Sequence, residues 1–168
     1  MSLSMHQASI PLFDRGLSNL AAILKKGEDW AAAKSIEPMV LFTARLAPDM
    51  FPLSRQVQIA SDTSRGAAAR LAGEEMPSWP DEEATFFDLS HRITRTRDYL
   101  KDFSASRLEG SESREVVLKM REGELKFTGE SFLFGFAIPN FFFHLATAYD
   151  ILRFNGVDLG KRDFLGAV

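Results

Sequence analysis

Two polar side chains lie one helical turn apart in the most apolar stretch of the sequence. Asn140 and His144 bound the run Asn140-Phe-Phe-Phe-His144, and residues four apart project from the same face of a helix. This is the spacing at which two histidines bind one metal ion. One imidazole with an amide is a weaker set, because further imidazoles, thiolates or carboxylates normally supply the affinity for a transition metal. The pair is therefore a candidate ligand-binding site and a weaker candidate metal site.

A glutamine from an earlier helix is the next candidate. Gln56 and Gln58 lie two residues apart, so both cannot face the core of a helical protein. Gln56 lies one helical turn before Ala60, which is on the predicted inward face of this helix. A buried glutamine needs hydrogen-bond partners, and Asn140 with His144 can provide them. We therefore expect Gln56 to join the ligand-binding residues.

A proline-bounded turn precedes that helix and supplies one further candidate. Asp49 lies in Leu46-Ala-Pro-Asp-Met-Phe-Pro52, where an aspartate can form an Asx-type turn. It can also lean over the mouth of a bundle, and we assign it to the ligand-binding set on that basis. We expect a small cavity near this segment that reaches Asn140 and His144.

Other catalytic patterns are absent from the sequence. It contains no cysteine, which excludes thiolate chemistry. It also contains neither the glycine-rich loop that binds nucleotide phosphates nor the Gly-x-Ser-x-Gly elbow of serine hydrolases. None of His6, His91 and His144 has a glutamate three residues before it, so a di-iron bundle is not expected. We expect His6 to be partly exposed and His91 to be solvated. Whether the protein is an enzyme stays open.

Hydrophobic periodicity predicts four long helices that must position these residues. We expect helix 1 to begin after Ser4, in a capping box with Gln7, and to end at Gly27. The remaining predicted elements are a short helix near 38–45, helices over 53–71 and 82–103, a hairpin at 115–120 and 125–127, and a last helix over 130–154. This order predicts an all-α four-helix bundle with a small β-hairpin before the last helix.

Size and charge narrow the functional classes. A length of 168 residues predicts a single domain over 1–168. The net charge of -3 argues against a nucleic-acid partner, because such proteins usually present a basic patch. The N-terminus lacks the pattern of a signal peptide, and with the absence of cysteine this favours a cytoplasmic location. Fifteen phenylalanines are many for one small core, which suggests a homodimer.

The last helix is apolar enough to require comparison with a membrane span. Residues 131–149 include no charged side chain, and about 20 apolar residues can cross a bilayer. However, Pro139, Asn140 and His144 interrupt the stretch, and no cluster of lysine or arginine flanks it. We therefore expect a buried central helix and no membrane.

Several of these segments resemble one protein superfamily. The order of the helices, the hairpin before the last helix and the ending Ile-Leu-Arg-Phe-Asn-Gly156 are similar to DinB-like four-helix bundles. The segments at 46–52, Arg55-Gln-Val-Gln58 and 140–144 resemble an uncharacterised, domain-of-unknown-function branch of that superfamily. The resemblance covers essentially the whole chain.

The resemblance implies a metal site whose ligands are mostly replaced. Metal-binding DinB-like proteins hold a divalent cation with one histidine from helix 2 and a His-x-x-x-His pair on helix 4, and some members transfer low-molecular-weight thiols. By position, His144 is similar to the second histidine of the pair, and Asn140 takes the place of the first. The helix 2 ligand falls on Gln56 or Gln58. The resemblance thus implies a degenerate site with no expected cofactor, although a divalent metal is possible.

Three functional hypotheses follow. The first is a small-molecule-binding bundle in which Asn140, His144 and Gln56 orient the ligand. The second is a divalent-metal-dependent transferase or hydrolase with a non-standard ligand set. The third is a structural homodimer that uses the phenylalanine-rich last helix, in which His144 is only a packing residue.

Overall fold

The computed structural model describes residues 3–120 and 123–166. Its helices are α1 (Met5–Ala33), α2 (Pro38–Phe42), α3 (Leu53–Ala72), α4 (Phe86–Lys101), α5 (Gly129–Phe132), α6 (Ile138–Phe154) and α7 (Lys161–Leu165). Two short 3-10 helices, Ala105–Leu108 and Ser111–Ser113, precede an antiparallel hairpin of β1 (Glu115–Met120) and β2 (Gly123–Thr128). The long helices α1, α3, α4 and α5–α6 form the predicted bundle, with the hairpin before the last helix.

The first helix begins where its capping residues predict but ends later. The hydroxyl of Ser4 accepts a hydrogen bond from the Gln7 backbone at 3.2 Å, and the Gln7 side chain accepts one from the Ser4 backbone at 3.0 Å. The expected end at Gly27 is wrong, because α1 continues to Ala33. A Cβ at Gly27 would lie 3.0 Å from Leu152. This glycine therefore allows α1 to approach α6 closely.

The end of α3 agrees with the sequence prediction, whereas the start of α4 does not. Gly73 ends α3 in a left-handed conformation, with φ of 75°, as expected for a C-terminal glycine. Helix α4 begins at Phe86 rather than at Glu82, after a capping box formed by Thr85 and Asp88. The acidic residues before it lie in the linker, where Glu83 forms contacts with other elements.

The last helix packs against α1 and α3. Phe141 packs on Phe13 of α1 with a ring-centroid distance of 5.0 Å, and a Cβ at Gly16 would lie 2.5 Å from the Phe141 ring. The stretch Gly129–Phe154 is long and apolar enough to cross a membrane by length and composition alone, but its packing against α1 and α3 makes it a core helix. The expectation of a buried central helix is met only in part, because Phe134, Phe143 and Phe154 are exposed.

The start of that helix contains a local irregularity. Residues Leu133–Ala137 adopt a π-helical conformation between α5 and α6, just before Pro139, which has no backbone N–H to donate. Short π segments in α-helices occur frequently at functional sites. The hairpin lies beside this segment, with Val116 and Leu118 of β1 buried against the bundle.

Candidate functional site

The structure brings two of the predicted site residues into contact across α3 and α6. Nδ1 of His144 lies 2.7 Å from Oε1 of Gln56. The Gln56 side-chain nitrogen donates to the backbone carbonyl of Phe51 at 2.9 Å. This second bond assigns the orientation of the amide, so Oε1 must accept from an N–H on Nδ1. In neutral His144 the proton therefore resides on Nδ1.

The other ring nitrogen of His144 carries the free lone pair. Nε2 has no hydrogen-bond partner among the described residues. It also does not belong to the fully buried polar atoms that lack a partner. With 8% of the residue exposed, Nε2 therefore keeps a contact with solvent. Burial lowers the pKa of His144 below its usual 6.5, and the nearby Arg55 cation lowers it further. His144 thus presents a neutral hydrogen-bond acceptor at neutral pH.

Aromatic side chains flank this pair. The Phe143 ring lies perpendicular to the imidazole of His144 at a centroid distance of 5.2 Å. Phe51, whose carbonyl binds Gln56, has its own side chain 54% exposed, and Phe143 is 56% exposed. The Arg55 guanidinium lies 6.0 Å from the Phe51 ring centroid and forms an ion pair with Asp81. The residues around the pair thus include one aromatic ring against the imidazole and one cation that is ion-paired with Asp81.

Asn140 does not join the His144–Gln56 pair. Its side-chain nitrogen donates to the hydroxyl of Thr63 at 2.9 Å, two helical turns along α3 from Gln56. The sequence predicted that both Asn140 and His144 would be hydrogen-bond partners of the Gln56 side chain. In the structure only His144 is. The structure separates the predicted site into two polar contacts along the same helix interface.

The remaining candidates lie outside the pair. Asp49 is exposed in a turn closed by a hydrogen bond from Met50 to Ala47, and its side chain forms no hydrogen bond with any described residue. Phe51 is the residue of this segment that reaches Gln56. Gln58 is buried as well, contrary to the expectation for only one of the two glutamines, but it binds Glu83 beneath the linker instead of facing α6.

Among the described residues, the three best-formed cavities do not include the pair. One of about 800 Å³ lies at the start of α1, one of about 220 Å³ lies beside Trp79, and one of about 240 Å³ lies between α3 and the hairpin. The cavity predicted near 46–52 is not one of these. Thr63, the partner of Asn140, lines the third.

The residues present do not fit the three-ligand metal site that the fold implies. Within 3–120 and 123–166, no three His, Asp or Glu side chains are placed to hold a metal ion. The Gln56 oxygen already accepts a hydrogen bond from His144, and the Asn140 side chain contacts Thr63 instead of the His144–Gln56 pair. Nε2 of His144 is thus the single strong donor atom at this position.

A buried ionic cluster is the main feature that sequence reasoning missed. Asp62 accepts hydrogen bonds from Arg65 and Arg92 at 2.7 Å each, and these two arginines are 1% and 3% exposed. Arg92 also binds Glu83 of the linker at 2.8 Å, and Arg65 lies 3.8 Å above the Trp79 ring. The available signal was the Asp62–Arg65 spacing on one helix. The cluster ties the linker to α3 and α4.

Comparison with known proteins places the chain in a family. The family model described as a domain of unknown function, DUF1993, matches residues 5–165. The crystal structure of a DinB family member from Shewanella denitrificans superimposes with a TM-score of 0.92 at 40% sequence identity, covering 98% of this chain and 93% of that one. A search of curated proteins found no match. The chain belongs to the DUF1993 family of uncharacterised DinB-like helical bundles.

Proposed function

We propose that this protein binds a small molecule at the His144–Gln56 pair. The observation that supports this most is the solvent-accessible Nε2 lone pair, which no described residue uses. A ring nitrogen with a free lone pair can accept a hydrogen bond, and beside an aromatic ring it is suited to a ligand that carries a donor. The proposed ligand therefore donates an O–H or N–H to His144 and places an apolar body against Phe51 and Phe143.

The Gln56 contact has a defined part in this proposal. By accepting from Nδ1–H, Gln56 keeps the imidazole in the tautomer whose Nε2 can accept. Gln56 itself is held by the Phe51 carbonyl. Gln56 is thus a positioning residue, and His144 is the residue that contacts the ligand.

Phenol and anisole form a matched pair of probes for this site. Phenol has an aromatic body and an O–H donor, whereas anisole has the same body with the donor methylated. We expect phenol to perturb the amide NMR signals around His144 and Gln56 and to bind more tightly than anisole. His144→Gln should abolish the difference between the two probes. His91→Gln, on the exposed face of α4, is the control and should preserve it. Equal binding of phenol and anisole by the natural protein would contradict the proposal.

The alternative function, a divalent-metal-dependent transferase or hydrolase, would use the same Nε2 atom of His144. Histidines that bind metals commonly donate their other ring N–H to a carbonyl or carboxylate, and the His144–Gln56 contact has this form. The alternative requires additional donors that the surrounding residues do not supply. The metal-dependent enzyme is therefore the second candidate function. Measuring the metal content of the purified protein distinguishes it from small-molecule binding.

We further infer a cytoplasmic homodimer. Phe143 and Phe154 of the last helix are 56% and 76% exposed, and their separation of 11 residues brings them to nearly the same helix face. Large exposed apolar side chains favour an interface between subunits. Sedimentation at micromolar concentration tests this: a mass near twice 18.8 kDa supports the dimer, and 18.8 kDa contradicts it.

A further inference from the structure

The cavity of about 240 Å³ between α3 and the hairpin has features of a second binding site. Residues of α3 form one wall, and the hairpin with the π-helical start of the last helix forms the other. The lining residues that matter below are Asp62, Arg70, Leu118, Lys119, Met120 and Phe136. We call this space the Arg70 pocket. It shares no residue with the His144–Gln56 pair.

Arg70 lines this pocket and has no counter-charge among the described residues. Arg70 is partly buried, and it forms no hydrogen bond or ion pair with the residues at 3–120 and 123–166. Burial lowers the pKa of Arg70, and no carboxylate among the described residues offsets this effect. Removing a cation from water is unfavourable unless the cation is paired. An anion that enters the pocket would pair with the Arg70 guanidinium where it is partly removed from solvent.

A glycine creates the space in which this guanidinium lies. A Cβ built at Gly66 would be 2.3 Å from Nη1 of Arg70 and 2.9 Å from the sulfur of Met76. Any larger residue at this position would displace both side chains. The Arg70 guanidinium therefore lies against Gly66, one turn earlier on α3.

The rest of the lining determines what kind of anion fits. Phe136, Leu118 and Met120 provide an apolar wall, and Lys119 adds a second cation. Asp62 is the acidic member of the lining, but its carboxylate already accepts hydrogen bonds from Arg65 and Arg92. A volume of about 240 Å³ suits a molecule smaller than the usual drug-sized ligand.

We propose that the Arg70 pocket binds a small aromatic carboxylate. The guanidinium of Arg70 pairs with the carboxylate, for which its planar donors are well matched, and the ring lies against Phe136 and the β1 side chains. This site takes an anion, whereas the His144 site takes a neutral hydrogen-bond donor. The two proposals therefore rest on different residues and can fail independently.

The test compares three probes by amide NMR titration of the full chain. Benzoate carries the proposed charge and ring, benzamide has the ring without the charge, and inorganic phosphate has charge without the ring. We expect benzoate to shift the signals of Thr63, Gly66 and Leu118 and to bind more tightly than either of the others. Equal affinity for benzamide would overturn the role of Arg70, and equal affinity for phosphate would overturn the aromatic part of the proposal.

Substitutions then locate the interaction. Arg70→Met should weaken benzoate binding at least about tenfold, and Gly66→Ala should weaken it because the new methyl group displaces the guanidinium. Arg15→Met, which removes one exposed arginine on α1, is the charge-matched control and should leave benzoate affinity unchanged. Should Arg70→Met fail to fold, Gly66→Ala and Arg70→Lys provide the same test. Unchanged benzoate affinity in the folded pocket variants would overturn the proposal.

Discussion

His144 and Gln56 form a hydrogen bond of 2.7 Å between α6 and α3. Burial, followed by the charge of Arg55, lowers the pKa of His144 below 6.5. We predict an NMR titration midpoint for His144 below the ordinary histidine value of about 6.5. A midpoint above 6.5 would contradict the neutral imidazole.

The same shift predicts how stability depends on pH. Because the folded-state pKa is lowered, the unfolded chain binds the proton more readily than the folded one. This contribution to stability is present above about pH 6.5 and is lost as the pH falls through the lower folded-state pKa. Urea unfolding at several pH values should show a smaller loss of stability in His144→Gln than in the natural protein. If the free energy of unfolding depended on pH in the same way in both proteins, a lowered pKa of buried His144 would not be the cause.

The fold was predictable from sequence because local signals agreed with each other. The Ser4–Gln7 capping box, the glycine at position 73 and the alternating residues of the hairpin each act over a few residues. The prediction failed at Gly27, where close packing with Leu152 matters more than the tendency of glycine to end a helix. It also failed before α4, since Glu83 is needed in a contact distant in sequence.

The candidate site was only partly predictable. Helical spacing placed Asn140 and His144 on one face and indicated Gln56 as an inward residue, but spacing cannot give the offset between two antiparallel helices. That offset pairs His144 with Gln56 and Asn140 with Thr63. The buried arginines were missed, because Arg65 and Arg92 on amphipathic helices read as surface residues until their partners in the linker are known.

The buried ionic cluster should be important for stability. Asp62→Asn removes the charge shared by Arg65 and Arg92, which are almost fully buried. We predict a loss of about 2–3 kcal/mol in the free energy of unfolding, less than for a fully buried pair because Asp62 is 30% exposed. Asp98→Asn, which breaks an exposed pair with Lys101, should have little effect in the same urea titration. Similar results for both variants would show that burial does not matter here.

Two glycines near the start of the last helix provide a packing test. A Cβ at Gly129 would lie 1.9 Å from the backbone oxygen of Ser111, whereas a Cβ at Gly135 would meet no atom within 4 Å. Gly129→Ala should therefore destabilise by about 2 kcal/mol or more, because backbone must move. Gly135→Ala should be neutral or mildly stabilising. Thermal unfolding of the two variants measures this, and equal melting temperatures would contradict the Ser111 contact.

Metal content distinguishes the two ligand hypotheses. We predict no stoichiometric zinc, nickel or iron in protein purified without a metal-affinity tag, because amides occupy the positions beside His144. Elemental analysis gives the result directly. One tightly bound metal ion per chain, lost in His144→Ala, would favour the metal-dependent enzyme instead.

The most direct measurement is the nitrogen NMR spectrum of His144 in protein labelled at histidine. Near neutral pH we predict a protonated Nδ1 and an unprotonated Nε2, with Nε2 alone shifting when phenol is added and neither nitrogen shifting with anisole. In Gln56→Glu, the new carboxylate should raise the pKa of His144, so that Nε2 becomes protonated and loses its response to phenol. An unprotonated Nδ1 in the natural protein, or an Nε2 signal that phenol does not move, would contradict the proposed site.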